Sequence, residues 1–322
     1  MNCIHCGSDH VSKFGKDRNG QQRFRCVECR KAFVEPHAFA GKKTDTKEGV
    51  RALLMLLEGM SIRATARLTG IDRDTIIGLM VQAGEQCATF LDSSIHDVKA
   101  ETIEIDEQWG FIRLKERTIK TRRGGVILHD EGDCYTFTAM DRHTKLLLAY
   151  HVGKRDGEHT QTFASKLHSR ITGRPTICSD GFTPYTTIIP KTWDGDCDFA
   201  QIVKTFVTPP KKEQQKYYPA SIMHVETKEV CGEVEKSEIG TSRMERFNLS
   251  SRMHVRRLTR LTNAHSKTLA NHKAMLALWF AFYNWCRKHM TLKTTPAVAA
   301  GLTNEPWTLE RLLTEAAKTI AA

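Results

Sequence analysis

No stretch of this chain is apolar for long enough to cross a bilayer as a helix. The longest apolar run, residues 274–282, falls well short of the roughly 20 residues a spanning helix needs. Residues 1–7 lack the apolar core of a secretory leader, so the expected location is the cytoplasm, with the nucleoid, and no membrane partner is expected. Internal repeats and low-complexity tracts are missing, which excludes a repeat architecture. The 14 histidines show no compact metal-ligating spacing. Acid is scarce towards the C-terminus: between residues 241 and 293 a single acid, Glu245, stands against 11 Lys or Arg.

What is present points elsewhere. With 322 residues and 40% hydrophobic content, the chain can bury a sizeable core in two or three domains. Its formal net charge of +11 favours a polyanionic partner. Cys3-x-x-Cys6 and Cys26-x-x-Cys29 each form a tight turn that aims two thiolates at one spot, and 19 residues separate the pairs. That spacing predicts a closed tetrahedral Zn2+ site of structural type. The rival is redox chemistry at a lone Cys-x-x-Cys, but no βαβ pattern surrounds either pair. The scattered Cys87, Cys134, Cys178, Cys197, Cys231 and Cys286 read as small buried hydrophobes.

Residues 1–40 therefore read as a zinc ribbon, followed by the polar linker Gly41-Lys42-Lys43-Thr44. Residues 45–88 carry a helical period. Val50, Leu53, Leu54, Leu56 and Leu57 line a first helix, Ser61 caps a second that ends at Gly70, and Asp72 caps a third. Small Ala64 and Ala66 allow close helix contact, and Gly70 supplies a sharp turn. This is a helix-turn-helix pattern spanning residues 41–92, with Arg73, Asp74 and Thr75 where such helices meet base edges. Arg63, Arg67, Arg73 and Thr75 are the expected DNA contacts. A plain three-helix bundle is the bland alternative.

From about residue 100 the period becomes that of strands. Residues 102–105, 134–140, 145–152, 175–179 and 198–206 read as strands, 159–171 as an amphipathic helix, and 242–261 and 266–290 as long helices. Residues 208–240 are polar and read as an insertion or mobile loop. Three strands, helix, strand, strand, helix is the order of an RNase H-like layered domain. The expected fold class is α/β: an N-terminal zinc ribbon and helix-turn-helix, then an RNase H-like mixed-sheet catalytic domain over 93–322 with C-terminal helices. Trp279, Phe280, Phe282, Tyr283 and Trp285 sit at helical spacing beside Leu276 and Leu278, and read as core.

Asp106 and Asp180 end two strands, where side chains can meet above a sheet. Glu245 is a lone acid inside a basic helix. Converging, the three could hold two Mg2+ ions, which prefer carboxylate oxygens. Two such ions serve an in-line phosphodiester displacement without a protein nucleophile. Each Asp alone also reads as a turn residue, and Glu245 as a partner of Arg243, Arg246 or Arg252. Alternation sends Glu107 to the face opposite Asp106 and leaves Glu104 on the same face as a competitor. Glu245, Asn248, Leu249, Arg252 and Arg256 fall close to one helical stripe. Arg246, Arg257 and Arg260 are solvated cations or contacts to DNA backbone.

These segments together resemble a family. The ribbon and the run from Ser61 to Ile77 are followed by Ile105-Asp106-Glu107-Gln108-Trp109-Gly110-Phe111, then by Ser179-Asp180-Gly181-Phe182-Thr183-Pro184-Tyr185. Met244-Glu245-Arg246-Phe247-Asn248-Leu249-Ser250-Ser251-Arg252 and the stretch from Arg256 to Asn263 come after. In that order they are similar to the insertion-sequence-1 family of DDE transposases, across nearly the whole chain. The resemblance implies Mg2+-dependent cleavage and strand transfer of double-stranded DNA, at element ends and target. It makes Asp106, Asp180 and Glu245 the metal-binding triad with Asn248 and Arg252 as helix partners, and it implies a homo-oligomer. The 64 residues between Asp180 and Glu245 leave room for an insertion near 208–240. The competing expectation is a DNA-binding regulator whose RNase H-like domain is inert.

Overall fold

The computed structural model describes residues 2–17, 20–34, 37–128, 130–207, 222–260 and 262–321. The chain divides into two compact units: Met1–Ser94, Leu128–Glu131 and Ser251–Ala322 form one, and Ile95–Ile127 with Gly132–Ser250 form the other.

The first unit begins with an antiparallel sheet of β1 (Val11–Lys16), β2 (Gln22–Cys26) and β3 (Ala32–Val34) in the order β1-β2-β3. Its interior is little more than Cys3, Cys26 and Phe33, too small an apolar core to hold a fold of this size unaided. Three helices follow. Asp45 caps α1 (Thr46–Leu57) by accepting from the backbone N–H of Lys47 and Glu48. This helix buries Ala52, Leu53, Leu56 and Leu57, while Leu54 turns outward. Ser61 Oγ accepts from Ala64 N at 3.1 Å to start α2 (Ile62–Thr69), and Gly70, in the left-handed region at φ +72°, stops it. Asp72 Oδ1 accepts from Asp74 N at 2.8 Å at the head of α3 (Arg73–Ser94). The two turn signals read from the sequence thus sit where they were expected.

The second unit is built on a mixed sheet. Its elements in chain order are β4 (Val98–Lys99), β5 (Thr102–Ile112), α4 (Glu116–Arg123), β6 (Gly132–Asp141), β7 (Leu147–Gly153), α5 (Gly157–His168), β8 (Ile171–Thr172) and β9 (Thr176–Asp180). They continue with α6 (Tyr185–Thr192), β10 (Asp198–Phe206), β11 (Ile222–Cys231) and α7 (Ser242–His254), whose last turn, from Ser251, belongs to the first unit. The main sheet runs β11-β10-β9-β5-β6-β7, and β4 pairs with β8 separately. β6 is antiparallel to both β5 and β7, β9 is parallel to both β5 and β10, and β11 returns antiparallel along β10. Ile103, Ile105, Phe137, Ala139, Ile177 and Cys178 are fully buried where these strands meet.

Three differences from the sequence reading stand out. Of the segment read as an insertion or loop, residues 208–221 lie outside the described residues, but Ile222–Cys231 is a strand. Val225, Thr227 and Val230 favour that conformation, and the charges between them face solvent, as an outermost strand requires. The arginine-rich run after β5, to which the sequence reading assigned no element, is the helix α4. The basic helix expected over 242–261 ends at His254: Val255 turns extended, and Thr259 Oγ1 donates to Arg252 O at 3.0 Å, taking up a carbonyl the next turn would have used. A single 3-10 turn, Arg256–Leu258, follows.

Back in the first unit, α8 (Leu269–Trp285) is buried around its whole circumference, with Trp279 and Trp285 among the largest enclosed side chains. Trp279 Nε1 donates to Ser251 Oγ at 3.2 Å. The aromatic cluster is therefore core, as its spacing predicted. The short α9 (Pro296–Ala299) and then α10 (Leu309–Ala321) close the chain, the latter packing on α3. Helices α3 and α8 cross so closely that a Cβ on Gly84 would lie 2.1 Å from Ala274 O. Gly84→Val is accordingly expected to lower unfolding free energy by about 1–3 kcal/mol through overpacking, read by denaturant titration. Among the described residues no helix is long and apolar enough to cross a membrane.

Candidate functional site

The four N-terminal cysteines converge as their spacing predicted. Cys3 and Cys29 Sγ lie 3.6 Å apart, as do Cys6 and Cys26 Sγ, and all four sulfurs fall within 4.8 Å of one another. A zinc ion bound by four thiolates at about 2.3 Å sets tetrahedral sulfur separations of about 3.8 Å, so the arrangement fits one such ion. Backbone N–H groups of His5 and Cys29 point at Cys3 and Cys26 sulfur at 3.4 and 3.5 Å, as expected for groups meant to carry charge. Of the remaining cysteines, Cys87, Cys134, Cys178 and Cys197 are buried and Cys231 and Cys286 partly so.

The acids meet where two parallel strands part. β5 and β9 pair at Thr102↔Thr176, Ile103↔Ile177 and Glu104↔Cys178, and pairing then stops. Two residues further on, the same register sets Asp106 opposite Asp180 across the gap. Asp106, Asp180 and Glu107 carboxylate oxygens come within 4.8 Å of one another, a geometry that could hold a divalent cation. Asp106 Oδ2 accepts from Asn248 Nδ2 at 2.7 Å, and its Oδ1 from Glu107 N at 2.7 Å. Asp180 Oδ1 accepts from Phe182 N at 3.1 Å, and buried Gln201 fastens the turn by donating to the carbonyls of Asp180 and Phe182. Asn248 Oδ1 is buried with no hydrogen-bond partner among the described residues, a polar atom beside the acids that a cation site would use.

Three carboxylates this close repel, and two features relieve the strain. Burial first, and the negative field of Asp180 second, push Glu107 up to about 7, so it binds a proton far more readily than an ordinary carboxylate. Arg155 bridges the pair, with Nε 3.0 Å from Glu107 Oε2 and a terminal nitrogen 3.5 Å from Asp180 Oδ2. Its guanidinium carbon stands over Phe182, 4.1 Å from the ring centre. Sequence reasoning missed Arg155. The signal lay in the sheet: Trp109 opposes Tyr135, which opposes Gly153, two residues before Arg155.

Glu104, left as a competitor by alternation, has another task. Its Oε2 accepts from the backbone N–H groups of Arg243 and Met244, each at 2.9 Å, and its Oε1 from Arg142 Nε at 3.0 Å. The carboxylate thus sits at the positive head of α7 and fixes that helix against β5. Gln108 Nε2 adds a bond to Asn248 O at 3.0 Å. Glu104, Asp106 and Gln108 share the face that meets α7, as the pleat dictates. Glu107 points away, yet its longer side chain still reaches the gap where β9 has stopped pairing.

Glu245 is not in this cluster. It pairs with Lys204 of β10 and accepts from Thr241 Oγ1 at 3.2 Å. Arg252 sits half-buried in the last turn of α7. Arg256 lies beyond the end of α7, so the five-residue stripe read from the sequence stops at Arg252. Arg63, Arg67, Arg73, Arg246, Arg256 and Arg260 are exposed and Thr75 half-exposed. Arg257 is a correction: it turns inward onto Met80 sulfur at 3.2 Å and Ser266 Oγ at 3.4 Å, and burial pushes it down to about 10, so it is not a surface cation. Nothing in the arginine-rich run distinguishes it from its neighbours.

No family model matches the chain. Over 77 residues, 24% of this chain and 83% of the relative, it is 31% identical to the insertion element iso-IS1N protein InsA of Shigella dysenteriae. Among solved structures it is similar to a piggyBac transposase in a synaptic complex with hairpin DNA, at a TM-score of 0.38 and 9% identity, covering 86% of this chain and 71% of that one.

Proposed function

The chain belongs to the insertion-sequence-1 family, and on that premise we propose that it is a DNA transposase of the Asp-Asp-Glu type. In this reading residues 1–40 are a zinc ribbon, 41–92 a helix-turn-helix unit that reads the terminal inverted repeats, and the mixed sheet an RNase H-like catalytic domain. The protein acts as a homo-oligomer that pairs two double-stranded DNA ends. Arg63, Arg67, Arg73 and Thr75 contact DNA from the front, and Arg246, Arg256 and Arg260 along its backbone. The observation that carries the reading is the facing pair Asp106 and Asp180 at one strand gap, with Asn248 of α7 bonded to Asp106.

Asp106 and Asp180 would hold the catalytic cation, with Glu245 completing the set from α7. Magnesium bound there would activate a water or a DNA 3′-hydroxyl and stabilise the leaving oxygen. Asn248 fixes the orientation of the Asp106 carboxylate, and Glu104 fixes α7. Arg155 holds Glu107 and Asp180 apart from each other's charge. Lys204 holds Glu245 on the side of the helix that faces the sheet, and Glu245 must leave it to reach the two aspartates. That same ion pair is the one observation favouring the alternative, a DNA-binding regulator with an inert sheet domain.

The test uses the purified full chain and labelled duplexes spanning the borders of its own gene. With Mg2+ present, strand cleavage at the borders and joining of the freed ends are expected. Specific binding with no cleavage in Mg2+ or Mn2+ would leave the regulator as the surviving reading. In the same assay Asn248→Ala is expected to lower cleavage about 10- to 100-fold and to raise the Mg2+ concentration needed, because it frees the carboxylate it orients. An unchanged magnesium titration would remove Asn248 from this role.

A further inference from the structure

One face of β5 continues past the acids as an aromatic strip that the proposed chemistry does not use. Trp109 and Phe111 follow Glu107 at alternate positions, so all three share that face. Trp109 is two residues from Glu107, about 7 Å along the strand, or two base steps of stacked DNA. Tyr135 lies directly across from Trp109 on β6 and therefore on the same face. The Trp109 and Phe111 rings are 5.6 Å apart, tilted by 33°, and each is half-exposed. Cations cover them: Lys115 Nζ stands 5.3 Å from the Trp109 ring centre and 5.4 Å from that of Phe111, and the Arg155 guanidinium 5.9 Å from that of Tyr135. Next along the chain is α4, with four Lys or Arg in eight residues and one acid, Glu116, which is taken up by Lys154.

A solvated amphipathic strand accounts for one half-exposed aromatic, not for three side by side with Lys115 over two of the rings and Arg155 over the third. Aromatic rings interleaved with cations are the arrangement that binds unpaired nucleic acid: bases stack on the rings and phosphates meet the charges. Duplex DNA has its bases stacked inside and cannot use such a strip. We propose that Trp109, Phe111 and Tyr135, with Lys115 and α4, form a binding site for a few unpaired nucleotides of single-stranded DNA. The strip begins beside the acids, so the strand it takes is the one unpaired next to the cleaved phosphodiester. This deepens the transposase reading and rests on it for that last step only; the stacking site itself needs only the strip.

The experiment compares two DNA probes on the full chain without added Mg2+: a paired duplex, and the same duplex with a short unpaired tail carrying 2-aminopurine. The protein is expected to bind the tailed probe more tightly and to quench its fluorescence. Trp109→Leu, which keeps apolar bulk, is expected to abolish quenching and weaken tailed-probe binding about tenfold while leaving duplex binding unchanged. Trp109→Phe is expected to restore quenching. Equal quenching by wild type and Trp109→Leu overturns the stacking site and leaves the transposase reading standing. A wild-type protein that binds neither probe overturns both. Binding and quenching of the tail without any border cleavage in Mg2+ sustains the stacking site and sinks the transposase reading alone.

Discussion

Asp106→Asn is expected to abolish strand cleavage and joining, by on the order of a thousandfold or more, while binding of the element ends survives. The substitution keeps the shape of the side chain and removes its charge. A carboxylate that holds a catalytic cation contributes several kcal/mol of transition-state stabilisation, and about 1.4 kcal/mol is a factor of ten in rate. The local structure tolerates the change, because the new amide oxygen can still accept from Glu107 N–H while its NH2 donates to Asn248 Oδ1 once the Asn248 amide turns over. End binding measured beside cleavage separates lost chemistry from lost folding. Normal joining by the variant in Mg2+ would remove Asp106 from the reaction. Glu245→Gln and Glu107→Gln sharpen the result. Family resemblance assigns the third acid to Glu245, whereas geometry sets Glu107 beside the two aspartates and Glu245 on Lys204. If Glu245 is the ligand, its variant falls with Asp106→Asn and that of Glu107, already prone to bind a proton, falls far less. The reverse order would transfer the role to Glu107.

The third acid is where local sequence signals stop defining the site. β5 runs on past Asp106 to Ile112, so the strand end expected there is absent, but the one at Asp180 was legible, because alternation and turn residues are local signals. So were the caps at Ser61 and Asp72 and the all-apolar α8. What local signals cannot carry is the point at which two strands cease to pair. β5 is straight through Glu107 in sequence, yet β9 leaves it after Glu104, and only that gap lets a side chain from the opposite face reach the aspartates. Arg155 enters from just beyond β7 and Lys204 from β10, strands whose places in the sheet depend on long-range order. Glu104 has the same ambiguity in sequence as Asp106. It is set apart because the first turn of α7, some 140 residues later, presents two N–H groups to it. Helix α4 and strand β11 were missed for a different reason. Both are rich in charge, and charge reads as loop unless an apolar period shows through.

Cys26→Ser carries the largest expected structural effect. Metal bound by four cysteines is expected to fall from about one zinc per chain to none in the purified variant, measured by elemental analysis. Residues 2–34 are expected to lose protection against proteolysis at the same time. The physical reason is the poverty of the core beneath the sulfurs. Phe33, supported by half-buried Phe24 with ring centres 6.1 Å apart, is almost all the apolar substance these strands enclose. With zinc at the four sulfurs such a unit would owe its folding to the ion, the binding free energy in comparable sites being about 10–16 kcal/mol. Cys26, at the end of β2, is 1% exposed, so a serine there would weaken the metal bond and set an unmatched hydroxyl in the core. The second unit draws its stability from its own sheet and should unfold at an unchanged denaturant midpoint. Specific end binding should fall if the ribbon takes part in it, and the comparison with Asp106→Asn then divides the protein's work cleanly: one variant binds ends without cutting them, the other keeps an intact acid site that no longer finds its ends. Unchanged zinc stoichiometry in Cys26→Ser would refute the four-thiolate assignment outright.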